Sequence, residues 1–78
     1  MEQTEHSLRV TYDRTGDAAY IYLTDIGLGR VTETVPMDPL AVDGMINLDF
    51  DQENRLVGIE VLEASRRLPP ELLLSQDA

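Results

Sequence analysis

The sequence predicts an α+β domain that is mostly β: an antiparallel β-meander of about five strands with a short C-terminal helix. Three observations predict it. Apolar and polar residues alternate with a period of two in successive stretches, the spacing that sends neighbouring side chains to opposite faces of a strand. Runs rich in Asp, Asn and Gly, "RTGD" and "DQENR", punctuate those stretches as turns. After Leu68 the alternation gives way to "PPELLLSQ", a proline pair able to open a helix, then an acidic residue and three leucines.

In "LRVTYD", Leu8, Val10 and Tyr12 share one face, and Arg9, Thr11 and Asp13 the other. At the "RTGD" turn, Asp13 and Asp17 can accept from backbone amides, and Gly16 can take a positive φ at little cost. "AAYIYLT" then sets Ala19, Ile21 and Leu23 against Ala18, Tyr20, Tyr22 and Thr24, so residues 8–24 read as a hairpin. "DIGLG" interrupts the pattern, and "RVTETV" resumes it as a short third strand, with Val31, Glu33 and Val35 opposite Thr32 and Thr34. Pro36 and Pro39 remove ladder donors, which makes "PMDPL" a loop. "MINLDF" places Ile46, Leu48 and Phe50 against Asn47, Asp49 and Asp51. Asn54 suits a left-handed position in the next turn, and "LVGIEVLEAS" is the last strand, its inner face Val57, Ile59 and Val61. The whole chain, 1–78, reads as a single domain, with 1–6 frayed, 8–65 forming the antiparallel sheet and 70–76 a short helix.

Composition bounds the function. Fifteen acidic residues against six basic ones, all arginine, leave a formal charge of -9, which argues against direct binding of nucleic acid phosphates. With no cysteine and one histidine, His6, thiol catalysis and zinc hydrolysis are excluded, and no cofactor or metal is expected. "GLGR" lacks the further glycine and the helix start that a phosphate-binding loop needs. The acidic "MEQTEHSL" is no signal peptide, and no apolar run reaches membrane-spanning length, so a cytoplasmic protein that binds no membrane is expected.

"VTYDRTGDAAYIYL" and "INLDFDQENRLVGIEVLEAS", in that order and spacing, resemble the small bacterial proteins grouped as domain of unknown function 2283, over residues 8–68. Phe50 stands where tyrosine is common in that family, and Asn54 where its turn often has glycine. The resemblance implies no assigned activity. Because genes of the family often lie beside those of small toxin-like proteins, it also implies an alternative role, an antitoxin-like regulator neutralising a small basic partner. No DNA-reading element of the kind that autoregulating antitoxins carry is visible.

Asp49, Asp51 and Glu53 imitate the start of a calcium loop, but position six is Asn54 and the twelfth residue, Glu60, lies in a strand, so the stretch reads as an exposed polar strand face entering a turn. Asp13, Gly16, Asp17 and Asn54 are assigned to turn structure. A metal-dependent hydrolase using Asp13, Asp17, Asp49 and Asp51 is a third reading. Opposite the core face, Tyr20, Tyr22, Leu56, Glu60 and Leu62 form a partly apolar, partly aromatic surface that a single helix cannot also cover, and Glu60 is a candidate partner for Arg66 or Arg67. The function expected is therefore a non-enzymatic protein-interaction domain, self-associating as a homodimer through that surface.

Overall fold

The computed structural model describes residues 2–27, 30–38 and 46–74. Five strands form one sheet: β1 (Arg9–Asp13), β2 (Ala18–Tyr22), β3 (Glu33–Pro36), β4 (Ile46–Phe50) and β5 (Leu56–Leu62). Every pairing is antiparallel, and the order across the sheet is β1-β2-β5-β4-β3. The fold class is that of the sequence, but the order is not the consecutive one of a meander. After β2 the chain crosses to the far edge, returns through β4, and inserts β5 between β2 and β4.

Side-chain chemistry accounts for this order. β5 is the longest strand, at seven residues, and its inner positions Val57, Ile59 and Val61 gain most from neighbours on both sides. β3, "ETVP", carries a charge and ends on a proline, which an edge strand tolerates and a central one does not. Its four residues are all exposed. A register shift at Asp49 and Phe50 pairs Phe50 with Leu56, a β-bulge beside the turn into β5.

The registers set Tyr12, Ala19, Val61 and Ile46 in one row, and Val10, Ile21, Ile59 and Leu48 in the next, all on one face. Over one end of this face lies a single helical turn, α1 (Ala64–Arg67), and then a 3-10 turn at Pro70–Leu72. Ala64 is fully buried against Ala19 and Val61, with Tyr12, Ile59, Leu68 and Leu73 packed around them.

Two local expectations need correcting. The sheet ends at Leu62 and not at 65, because Glu63 adopts a left-handed conformation, φ 52° and ψ 46°, that swings the chain off β5 into α1. The helix expected over 70–76 is one 3-10 turn, Leu73 N–H donating to the Pro70 carbonyl at 2.9 Å; residues 75 and 76 lie outside the described residues, as do Pro39 and Met45. Within the described residues the 3-10 turn ends at Leu72, with Leu73 as its C-cap.

Candidate functional site

Across the face opposite α1, the registers align Tyr20 with Glu60 and Asn47, and Tyr22 with Gly58, Asp49 and Thr34. The Tyr20 ring leans diagonally across β5 and its hydroxyl donates to Asp49 Oδ2 on β4. Thr34 Oγ1 on β3 donates to the other Asp49 oxygen at 2.6 Å. Asp49, only 8% exposed, is thus held by hydroxyls arriving from two different strands. Gly58 makes the crossing possible, since a Cβ there would collide with the ring and hydroxyl of Tyr20. Burial, then the hydrogen bond and charge of Asp49, push the Tyr20 phenol well above its ordinary pKa.

The neighbouring polar groups are also engaged. Asn47 Nδ2 donates to Glu60 Oε1 at 2.8 Å, so the strand-face acid is satisfied from β4, while Arg66 Nε donates to Glu63 at 2.6 Å. The Tyr22 ring packs against Tyr20 at a tilt of 53°, centroids 4.7 Å apart, and the guanidinium carbon of Arg9 sits 4.3 Å from the Tyr22 centroid. Leu62 is half-buried on this face and Leu56, at its end, exposed.

A second cluster ties the first turn to the chain's end. Asp17 accepts from the Tyr12 hydroxyl at 2.7 Å, from the Ser65 amide at 2.9 Å and from the Ser65 hydroxyl at 2.7 Å, and its carbonyl accepts from the Ala64 amide at 2.9 Å. The Ser65 and Tyr12 hydroxyl donors hold the Asp17 carboxyl below its usual pKa, and the bond to Asp17 raises the Tyr12 phenol. The left-handed residue of this turn is Asp17 itself, φ 50°, and not Gly16; aspartate is among the few non-glycine residues that adopt this conformation readily. Asp13 caps the turn from within, accepting from the Thr15 amide at 3.0 Å.

Asp51 organises the turn at the opposite end of the sheet. Its Oδ1 accepts from the Glu53 and Arg55 amides at 2.9 and 3.0 Å, and its Oδ2 faces Arg55 Nε at 3.3 Å and Arg30 Nε at 3.7 Å. The backbone amides and the Arg55 guanidinium keep the Asp51 carboxyl below its usual pKa. Asn54 is left-handed here, φ 62°. Asp13 and Asp17 therefore cap one end of the sheet while Asp51 caps the other, so the strand registers do not gather the four aspartates into one centre. Among the described residues, no group of three or more His, Cys, Asp or Glu side chains is placed to hold a metal, and no helix is long and apolar enough to cross a membrane.

The model of a family described as a protein of unknown function (DUF2283) matches residues 9–65. The chain belongs to the DUF2283 family. No curated protein and no solved structure matches it. The DUF2283 span takes in all five strands and ends at Ser65, the residue whose amide and hydroxyl Asp17 holds. The period-two pattern of this DUF2283 protein does not reveal that Asp49 accepts from both the Tyr20 and the Thr34 hydroxyls. One signal was present: Gly58 inside an apolar strand marks a place where another group approaches closely.

Proposed function

We propose that this protein is a non-enzymatic protein-interaction domain that works as a self-associated pair. The observation that carries this reading is the state of its apolar face. Ile21, Ile59 and Leu48 lie side by side on the three central strands, where coverage should be best, yet each is only partly buried. Among the described residues the buried apolar side chains are Ala19, Val57, Val61 and Ala64, two of them alanine. A core this small gives a domain of 78 residues little net stability. A second copy would supply further apolar burial, at about 25 cal/mol for each Å² removed from water.

The chemistry of the aspartates supports interaction over catalysis. Asp13, Asp17, Asp49 and Asp51 each spend their carboxylates on bonds that shape the sheet or its turns. Tyr20 and Tyr22 act in this reading chiefly within the protomer, one on Asp49 and the other beneath Arg9. Size-exclusion chromatography with light scattering tests the proposal. A mass twice 8.7 kDa is expected at micromolar concentration; a strict monomer at high micromolar concentration overturns it.

A further inference from the structure

We infer that two copies of this chain join through the outer edge of β1, in an antiparallel pairing centred on Thr11. The inference rests on the self-associating reading and names the edge at which two copies meet; the apolar burial it adds is local to that edge, and Ile21, Ile59 and Leu48 on β2, β5 and β4 keep the exposure they have in one copy.

Ladder geometry decides which edge can pair. Leu23 N–H donates to the Val57 carbonyl at 3.0 Å, and Met37 N–H to the Ile46 carbonyl at 2.9 Å, so both are hydrogen-bonded pairs. Such pairs alternate with non-hydrogen-bonded ones along an antiparallel ladder. Followed through the registers, Ala19 and Ile21 direct their backbone groups to β5, while Ala18, Tyr20 and Tyr22 direct theirs to Asp13, Thr11 and Arg9. Val10 and Tyr12 are left pointing their N–H and C=O groups outward, and among the described residues no strand pairs on that side. On β3 the outward positions are Thr34 and Pro36, and Pro36 has no N–H. Of the two edges, β3 is therefore blunted and β1 is open.

The β1 edge is also complementary to itself. Around a two-fold axis at Thr11, Arg9 faces Asp13 of the second copy and Asp13 faces its Arg9, while Val10 faces Tyr12. Opposite charges, and an aromatic against a β-branched residue, are favourable cross-strand pairs. Val10 and Tyr12 then exchange four backbone hydrogen bonds with their counterparts. A slip of one residue would set the apolar face of one copy beside the polar face of the other, and a slip of two would break both ion pairs.

Continuing the register places Leu8 of one copy beside Arg14 of the other, on the apolar face. A cleft of about 390 Å³ opens there, lined by Tyr12, Arg14, Ser65, Pro70, Leu73 and Leu74. Leu8 and Leu74, 49% and 67% exposed, would cover one another across the junction. The same pairing thus provides for backbone groups, charges and apolar side chains together.

Because the chain lacks cysteine, Thr11→Cys is a clean reporter of this register. Directly opposed residues in a non-hydrogen-bonded pair have Cβ atoms about 4.5 Å apart, close to disulfide reach. Oxidised glutathione, taking two electrons and two protons from the facing thiols, should convert Thr11→Cys to a covalent dimer, while Glu33→Cys on β3 stays uncrosslinked. Arg9→Asp or Asp13→Arg alone should weaken dimerisation at least about tenfold, and the two together should restore it. A wild-type dimer whose Thr11→Cys variant fails to crosslink, or that crosslinks at Glu33→Cys instead, overturns the β1 pairing and leaves self-association standing. A double exchange as weak as the single changes overturns the register, and a monomeric wild type overturns both readings.

Discussion

Tyr20 on β2 and Asp49 on β4 are joined by a hydrogen bond that passes over the intervening strand at Gly58. One side chain therefore staples three strands, and the smallest residue in the sheet marks where it crosses. Gly58→Ala should destabilise the protein by about 1–3 kcal/mol, the usual cost of forcing a group into occupied space. In a Tyr20→Ala background the same change should cost much less. A double-mutant cycle by urea unfolding measures this, and additivity of the two changes would show that the ring does not depend on Gly58.

Removing the hydroxyl alone tests the polar half of the staple. Tyr20→Phe leaves Asp49 buried with Thr34 as its remaining hydroxyl donor, and should cost about 1–3 kcal/mol. Tyr20→Asp combined with Tyr22→Asp sets new carboxylates beside Asp49 and Glu60. On the sequence alone that pair of changes should weaken a dimer and spare the β signal; the geometry redirects the expectation to a lower melting temperature at every protein concentration. Circular dichroism across a dilution series distinguishes the two.

The Asp17 clasp makes a separate prediction about the chain's end. Asp17→Ala removes the acceptor for both the Ser65 amide and hydroxyl, whereas Asp17→Asn keeps an oxygen there and tolerates the left-handed backbone. Trypsin should cut after Arg66 and Arg67 fastest in Asp17→Ala, more slowly in Asp17→Asn, and slowest in the wild type. Equal rates would mean that α1 is held by its apolar contacts alone.

Stability should fall at both ends of the pH scale. Asp17 and Asp51 have folded pKa values below the unfolded carboxylate value of about 4, so their contribution is complete above that value and lost as pH drops through the folded ones. Tyr12 and Tyr20 are shifted the other way. Their contribution is complete below the unfolded phenol value of about 10 and lost as pH rises beyond it, when the unfolded chain ionises first. Urea midpoints against pH should show a plateau with two shoulders, and Tyr20→Phe should shrink the alkaline one.

Period-two alternation made β1, β2 and β4 legible to within a residue or two, since half-buried strands write their two faces directly into the sequence. Strand order was not legible. It depends on a competition between β3 and β5 for the place beside β2, which hydrophobic length and the tolerance for Pro36 decide only once the sheet exists. The Tyr20 and Asp49 contact inherits that difficulty, because residues 29 positions apart become neighbours only when β5 separates β2 from β4. α1 escaped notice for a different reason: four residues are too few for a helical period, and the signal that starts it, a left-handed Glu63, is a conformation glutamate seldom adopts.

Pro36 carries a consequence for the size of any assembly. A sheet with two equivalent sticky margins can recruit copies without limit, the route by which strands become filaments. Here one margin would be consumed by a two-fold junction and the other closes on a ring that cannot donate. Pro36 would act as a chain terminator, so that growth stops at a ten-stranded particle of defined mass. Replacing it with a residue that carries an N–H, such as threonine, would remove the stop, and fibre formation on storage is the failure to look for.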